Sequence, residues 1–425
     1  SPNHKPGLSG WERMRLWFFA IRDGFITLLP LTLFGVLAVL LDSLPLPAYQ
    51  AALTEYLGPG LRAGLQSVVG ATHGVFSIAL TMAVAVILSQ ELSMRSPGAA
   101  SLPGLTVGIS ALVNFMLCIF ASGTVSLARL GHEATLLSLI VGVASAELLH
   151  WTASTRWSRW WVMPYDTGLA FYQATRLTPP LILSGLVAFA CACVWAASPP
   201  FTGHMLASFA QWAVAQGASE WLLSTVATLL NQVFWFIGIH GARVVEVYAS
   251  DLFVPAGLHY DGVRAWKPLL DGFVLLGGSG ATLGLLLAIM VVVKDGSQRR
   301  VAHMSVIPAV FNINELLLYG LPIVLNPLYL LPFVGVPILL TLLAVTAAQS
   351  GFIVLGAVNL PWTTPPLVSG WLLTGSWHGA ALQLAGLGIS TLLYLPFVRA
   401  AEARRLRHQS EMFSDATHAI LKKGQ

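Results

Sequence analysis

Long runs of uncharged residues limit how this chain can fold more than any other feature of its sequence. Between Arg300 and Arg399 the chain contains no Asp, Lys or Arg, and its only Glu is Glu315. Only 9% of all 425 residues are charged and 56% are hydrophobic, whereas about a quarter of the residues of a soluble domain are charged. A membrane-spanning helix needs about 20 mostly apolar residues. The sequence therefore predicts an all-α protein that crosses a membrane several times.

Apolar runs that qualify as candidate spans occur throughout the chain. They cover residues 26–41, 74–88, 105–120, 136–149, 181–197, 222–237, 269–293, 323–348 and 382–398. Several are short for a full span and are candidates for re-entrant pieces. Because the boundaries of such runs are loose, we expect about ten crossings.

Basic residues cluster near the ends of these runs. The clusters are Lys5, Arg13 and Arg15; Arg156 and Arg159; Lys294, Arg299 and Arg300; and Arg399, Arg404, Arg405 and Arg407. Positively charged span ends face the cytoplasm, so we expect both termini there. The net charge of +4 forms no basic stripe, which argues against nucleic acid as a partner. The three cysteines lie in apolar runs, and we expect no metal and no cofactor.

The two halves of the chain differ in how their apolar runs are punctuated. Residues 1–200 hold about five ordinary spans with amphipathic stretches between them, and predict a scaffold and dimerisation domain. In residues 201–398 the runs are interrupted by polar and Gly/Pro-rich pieces. Irregular backbone at membrane depth is tolerated only beside protein or a water-filled cavity, and in transporters such pieces build the substrate site. We therefore predict a transport domain there, followed by a cytoplasmic tail or linker at 399–425.

Glu315 is the first candidate for chemistry. A carboxylate inside a membrane is costly, so it usually lines a cavity or meets a partner. As an alternative, it caps a broken helix through backbone N–H groups, because Pro308 and Pro322 bracket it and helix N-termini attract anions. The cost of intramembrane charge favours the functional interpretation.

Three asparagines, Asn312, Asn314 and Asn326, surround Glu315 in the sequence. An Asn side chain both donates and accepts hydrogen bonds. Sugar hydroxyls do the same, so a carboxylate among amides suits a polyol ligand. The other interpretation is that these amides satisfy the backbone of a broken helix, and the sequence leaves both open.

His240 is the second ionisable candidate. It lies in "WFIGIHGARVVE", where glycines at 238 and 241 allow the close approach of a ligand. Asn231 lies half a span earlier and is a further candidate for sugar contact. Arg243 and Glu246 are three residues apart on a predicted helix, and we expect them to pair with each other.

Two further segments complete the predicted site. The stretch 277–284, "GGSGATLG", contributes the candidates Gly277 and Ser279, either as a loop at the site or as small residues that permit tight helix packing. The candidates Trp362, Thr363 and Thr364 lie between prolines, where the backbone is extended. An aromatic face beside hydroxyls suits a sugar ring, although Trp is also common at membrane interfaces.

Several segments, in this order along the chain, resemble those of a known family. They are "AIRDGFITLLPLTLFGVLAVLL", "LLSLIVGVASAEL", "MPYDTGLAFYQATRLTPP", "FWFIGIHG", "LGGSGATLGL", "INELLLYGLPIVLNP", "PWTTPPLVSGWLLTG" and "ISTLLYLPF". The chain is similar, over nearly its whole length, to the membrane subunit (enzyme IIC, or EIIC) of the sugar phosphotransferase system. The branch it resembles is the lactose/cellobiose/diacetylchitobiose type.

The resemblance implies a homodimer with ten spans in a bacterial inner membrane, with re-entrant hairpins in the transport domain. It implies that Glu315 and His240 contact the sugar, with Glu315 near the hydroxyl that is phosphorylated. The implied partners are a disaccharide, such as cellobiose or diacetylchitobiose, and a phospho-IIB protein or domain. The phosphoryl group comes from a phosphocysteine of IIB, so this chain has no phosphorylated residue of its own.

The sequence also departs from the family pattern. Leu316 stands where the family has proline and Tyr319 where it has phenylalanine, which leaves open whether phosphotransfer is retained. In the tail, Leu406, Phe413 and Ile420 recur every seven residues, as on one helical face. This pattern is typical of a surface helix or of a connector to a soluble signalling domain.

Three functional hypotheses follow from these features. The first is a permease for a β-linked disaccharide that presents the sugar to phospho-IIB. The second is a sugar-sensing membrane module with the same fold, which controls a fused cytoplasmic signalling domain without phosphorylation. The third is an unrelated transporter coupled to protons through Glu315.

Overall fold

The computed structural model describes residues 9–43, 47–55, 58–95, 102–121, 126, 130–131, 134–155, 169–197, 201–237, 241–254, 264–294, 296–321, 323–324, 326–356, 358 and 360–423. For residues 47, 169–170, 173–174, 195–197, 201–204, 243, 247, 408–409 and 411–423 the backbone alone is described. Within these ranges the only β-type pairing is a single bridge between Phe253 and Ala265. The predicted all-α fold is confirmed.

The helices in chain order are α1 (Gly10–Thr27), α2 (Leu29–Ser43), α3 (Pro47–Glu55), α4 (Gly58–Thr72), α5 (Phe76–Arg95), α6 (Gly104–Ala121), α7 (Thr135–Ser154), α8 (Leu169–Ala197), α9 (Phe201–Ala215), α10 (Glu220–Phe236), α11 (Gly241–Tyr248), α12 (Thr282–Val292), α13 (Ser297–Val310), α14 (Glu315–Gly320), α15 (Pro327–Gln349), α16 (Val368–Thr374) and α17 (Trp377–Lys423). The local sequence explains where two of these helices start. Ser219 caps α10, and Asn326 caps α15 with Pro327 in the first turn, where its missing N–H costs nothing.

Six helical stretches among the described residues are long and apolar enough to cross a membrane, and seven if α1 and α2, bent by 44°, form one span. The six are Gly58–Arg95, Gly104–Ala121, Thr135–Ser154, Thr175–Val194, Pro327–Gln349 and Trp377–Arg407. Shorter apolar helices cover Met205–Ala215 and Thr282–Val292. The chain is therefore a polytopic membrane protein, and the expected ten crossings stay a prediction.

The described chain forms two compact units that are interleaved in sequence. Unit 1 comprises Ser1–Asp42, Leu53–Ser208 and Gly238–Tyr248, and unit 2 comprises Ser43–Ala52, Phe209–Ile237 and Ala249–Gln425. The scaffold domain predicted at 1–200 and the transport domain predicted at 201–398 stay predictions.

Unit 1 is built on α5, which packs against α1, α6 and α7, while α8 packs against α6 and α7. A buried polar cluster joins three of these helices. The Asn114 side-chain amide donates to Ser145 Oγ at 2.9 Å and to Ser184 Oγ at 2.8 Å. Between membrane helices such amide bonds replace the hydrophobic driving force that is missing in lipid.

In unit 2, α10 packs against α15, and α17 packs against α12, α15 and α16. The apolar run 269–293 is not one helix. A helical turn at Lys267–Leu269 continues as a π-helical turn at Leu270–Val274, a loop follows, and α12 begins at Thr282. This break within an apolar run brings irregular backbone into the interior of unit 2.

The final helix, α17, continues without interruption from the last apolar run into the tail and covers 47 residues. Helical structure in the tail, as the seven-residue repeat predicts, is confirmed. The side chains of Phe413 and Ile420 lie outside the described residues, so the surface that this face contacts stays a prediction.

Candidate functional site

The glycine-rich stretch 277–284 forms a loop followed by the start of α12, and its predicted role at a sugar site stays a prediction. Gly277, Gly278 and Gly280 adopt φ of 79°, 95° and 83°, a region that favours glycine, and Ala281 follows at 52°. A π-helical turn precedes the loop, and such turns are frequent at functional sites.

Three side chains from distant parts of unit 2 hold this loop. Gln232 Oε1 accepts from the backbone N–H of Gly280 at 2.7 Å. Tyr394 donates through its hydroxyl to the Gly280 carbonyl at 2.6 Å, and Ser390 Oγ donates to the Ala281 carbonyl at 3.0 Å. These bonds satisfy backbone groups that an irregular loop would otherwise leave unpaired inside a membrane.

Asn312 joins the loop to the segment around Trp362. It adopts a positive φ of 62°, which Asn tolerates better than most residues. Its Oδ1 accepts from the Gly277 N–H at 2.9 Å, and its Nδ2 donates to the carbonyls of Trp362 at 2.7 Å and Thr364 at 3.0 Å. Both donors of the amide are therefore used to fix backbone.

Asn314 fixes the same loop from the other side. Its Nδ2 donates to the Ser279 carbonyl at 2.8 Å and to Thr282 Oγ1 at 3.2 Å. A Cβ on Gly278 would lie 2.7 Å from Asn314 Cγ, so only glycine fits there. The two asparagines thus satisfy broken backbone, the second of the two roles that the sequence left open.

Glu315 is the first residue of α14 and lies directly beside this network. Its carboxyl group faces the backbone N–H groups of Asn314 and of Glu315 itself. Its Oε2 is buried and has no hydrogen-bond partner among the residues that the structure describes. A buried carboxylate oxygen without a partner is costly unless a ligand or water meets it, and whether Glu315 does more than cap α14 stays a prediction.

The other predicted residues take different positions. Asn326 caps α15 by accepting from Leu328 N–H at 3.1 Å. The Trp362 ring is 49% exposed, while Thr363 and Thr364 are 1% exposed. Their hydroxyls are engaged, Thr363 with Ser43 Oγ at 3.1 Å and Thr364 with the Pro361 carbonyl at 2.7 Å.

Asn231 lies in α10 beside Gln232, and its side chain is buried. Within the described part of the chain, Asn231 Oδ1 and Gln232 Nε2 have no hydrogen-bond partner. His240 lies outside the described residues, as does the Arg243 side chain, so their predicted roles stay predictions.

Sequence reasoning missed the residues that support the site from α17. Gln383 accepts from the N–H groups of Leu367 and Gly370 and donates to the Gly272 carbonyl and to Ser369 Oγ. It fixes the start of α16 and the π-helical turn together. The sequence did contain a signal for Gln383. An amide in the apolar run 382–398 is unusual, and polar residues in membrane spans usually form hydrogen bonds.

Gly280→Ala tests whether the loop tolerates a side chain. A Cβ at this position would lie 2.4 Å from the Phe333 ring, and the positive φ adds strain of about 1–2 kcal/mol. We expect the variant to lose thermal stability in detergent. Gly217→Ala is the matched control, because its φ of 66° gives similar strain and nothing lies within 4 Å of the added Cβ. Equal losses in the two variants would mean that the loop yields to a side chain at position 280.

Comparison with known proteins gives a family. The family model for the phosphotransferase system EIIC component matches residues 22–337, about three quarters of the chain. The match runs from the end of α1 through α14 into the first half of α15, and it includes the glycine-rich loop, both loop-fixing asparagines and Glu315.

Curated relatives resemble the chain over nearly its whole length. The lichenan permease IIC component of Bacillus subtilis (strain 168) is 27% identical over 429 residues, covering 92% of this chain and 91% of the relative. The cellobiose-specific EIIC component of Geobacillus stearothermophilus is 27% identical over 410 residues, covering 89% and 88%. The crystal structure of the transporter ChbC, the IIC component of the N,N'-diacetylchitobiose-specific phosphotransferase system, is similar with a TM-score of 0.49 at 24% identity, covering 93% of this chain and 96% of that one.

These findings identify the family and so favour the first of the three functional hypotheses. The resemblance stated from the sequence segments is confirmed, and the sensor alternative gains no support. EIIC components bind a sugar and work with a IIB partner. The chain therefore belongs to the EIIC family of the phosphotransferase system and is its membrane-embedded sugar-transport subunit.

Proposed function

We propose that this chain takes up a β-linked disaccharide and presents one of its hydroxyls to phospho-IIB at Glu315. One observation carries the proposal, the buried Oε2 of Glu315 that lacks a partner among the described residues. The backbone around it is fixed by Asn312 and Asn314, so the carboxylate has a defined direction. A fixed hydrogen-bond acceptor is what a sugar hydroxyl needs for orientation.

The chemistry is a phosphoryl transfer between two partners. The sugar hydroxyl oxygen attacks phosphorus, a P–O bond forms, and the P–S bond to the IIB cysteine breaks. Glu315 accepts the hydroxyl proton, and the thiolate leaves on IIB. His240 is proposed as a second orienting or proton-sharing group. Asn231, with its buried Oδ1, and the exposed Trp362 ring are proposed sugar contacts.

The proposed substrate class rests on the relatives. They are named for lichenan and for cellobiose, and cellobiose is a β-linked disaccharide. Cellobiose and diacetylchitobiose are therefore the first sugars to test. The carboxylate of Glu315 accepts hydrogen bonds and the amide of Asn231 both donates and accepts them, which suits the hydroxyls of such sugars.

The remaining proposals concern assembly and orientation. We propose that residues 201–398 carry the sugar while residues 1–200 serve as the scaffold, in a homodimer in a bacterial inner membrane. Both termini would face the cytoplasm, since the basic clusters of the sequence flank its spans. The phospho-IIB partner would then meet the site from the cytoplasmic side.

A thermal-shift screen of the detergent-purified protein tests the proposed substrate class. Cellobiose, diacetylchitobiose and lactose are compared with α-linked disaccharides such as maltose and trehalose. A ligand that binds the native state stabilises it by mass action and so raises the melting temperature. The gain in unfolding free energy is about 2.7 kcal/mol at a ligand concentration of a hundred times the Kd. We expect a shift with at least one β-linked sugar and none with the α-linked ones. The proposal is contradicted if only the α-linked sugars give a shift, or if none of the sugars gives one.

A further inference from the structure

A cavity lies in unit 2, lined by residues other than those around Glu315. Its volume is about 770 Å³, within the range of small-molecule sites. It opens where α15 ends and α17 begins. The residues that line it, together named here the α15–α17 pocket, are Ser350, Gly351, Phe352, Val354, Thr374, Ser376 and His378.

The α15–α17 pocket combines aromatic rings with hydroxyl groups. The rings of Phe352 and His378 meet edge to face, with centroids 5.2 Å apart, and Trp377 stacks on His378 at 4.2 Å. Ser376 Oγ lies 3.2 Å from His378 Nδ1 and so orients the imidazole. No charged residue is among the lining residues.

This combination suits an uncharged polyol. The C–H face of a pyranose ring is apolar and carries positive partial charge, so it packs against the negative face of an aromatic ring. The Ser350 hydroxyl donates to the Ala347 carbonyl at 3.2 Å, and its oxygen can still accept from a sugar. Without Asp, Glu, Lys or Arg in its lining, the pocket offers no permanent charge to an ion.

The position of the pocket along α17 indicates which side of the membrane it faces. The C-terminal end of α17 carries the basic residues Arg404, Arg405 and Arg407, whereas the pocket lies at the opposite end of the same helix. If the basic end faces the cytoplasm, the pocket faces outward. Farther along the chain from Ser350 lie Trp362 and Thr364, whose carbonyls accept hydrogen bonds from Asn312.

We propose that the α15–α17 pocket is an outer docking site where a disaccharide binds weakly before it reaches Glu315. This inference rests on the proposed function of the glutamate site. A weak site that faces outward raises the local concentration of sugar without slowing its onward movement. Its affinity is expected to be about millimolar, as for a small uncharged ligand in an open pocket.

Saturation-transfer NMR on the full-length protein in detergent tests this inference, with cellobiose and diacetylchitobiose as probes. The measurement is made in the Glu315→Gln variant, where binding at the inner site is weakened. We expect the sugar signal to persist there at millimolar concentrations. Adding Phe352→Leu or His378→Gln is expected to reduce it at least about fivefold, because each removes a ring face from the pocket.

Phe120→Leu is the matched control, since Phe120 is an exposed phenylalanine in unit 1. Adding it to Glu315→Gln should leave the signal unchanged. A signal that is abolished by Glu315→Gln alone, or that Phe352→Leu and His378→Gln leave intact, overturns the outer site and leaves the proposed function standing. Absence of binding in the wild type overturns the proposed function and this inference together.

Discussion

Glu315→Gln is expected to slow sugar phosphorylation by about 10²–10⁴-fold, the usual contribution of a positioned general base. The amide keeps the shape of the side chain but cannot take the proton of the sugar hydroxyl. Sugar binding should weaken about tenfold, since a hydrogen bond to a charged acceptor becomes one to a neutral group. The measurement is phosphorylation of radiolabelled cellobiose or diacetylchitobiose by a phosphorylated IIB protein, with binding followed by thermal shift.

Glu220→Gln provides the matched control for this prediction. Glu220 is also a buried carboxylate of unit 2, and its Oε2 accepts from Gln349 Nε2 at 3.0 Å. Glutamine can accept the same bond, so phosphorylation should change by less than about threefold. If Glu315→Gln folds normally and keeps both sugar binding and phosphorylation, the carboxylate of Glu315 is a structural helix cap.

Asn312→Asp is expected to abolish sugar binding by releasing the loop that aims Glu315. The amide donates to two carbonyls, and a carboxylate in its place would repel both oxygens. Each lost hydrogen bond costs about 0.5–1.5 kcal/mol. Asp tolerates a positive φ much as Asn does, so the backbone at position 312 stays permitted and the effect reports the hydrogen bonds. The thermal shift with a β-linked disaccharide measures it.

Asn326→Asp is the same substitution at a position where the amide oxygen caps a helix. Its oxygen caps α15 by accepting from Leu328 N–H, and a carboxylate accepts there equally well. We expect a smaller loss of stability than in Asn312→Asp and a retained sugar shift. Equal losses from the two substitutions would show that the donors of Asn312 do not hold the site together.

Many residues of the candidate site could be predicted, because charged side chains and amides are rare in membrane spans. Glu315 and the asparagines beside it stood out in the uncharged stretch between Arg300 and Arg399. Glycine in clusters marked the loop at 277–284 in the same way. These signals are local in sequence, so they need no knowledge of what lies opposite.

The supporting residues were not predictable in the same way. Gln232, Ser390 and Tyr394 each bond the loop from positions 48 to 114 residues away. Nothing in the sequence near them distinguishes an amide or hydroxyl that holds a loop from one that bonds its own helix. The apolar run 269–293 also reads as one continuous span, although its centre is a loop with positive φ angles.

The sequence by itself determined that the chain lies in a membrane, that its second half contains broken elements, and which carboxylate is the exceptional one. Each follows from the cost of placing polar groups in hydrocarbon, which acts on every residue separately. Only the tertiary structure decided that Asn312 and Asn314 fix backbone, and that Glu315 keeps a buried oxygen without a partner among the described residues. The physical reason is that hydrogen-bond partners are matched in space, where residues far apart in the chain meet.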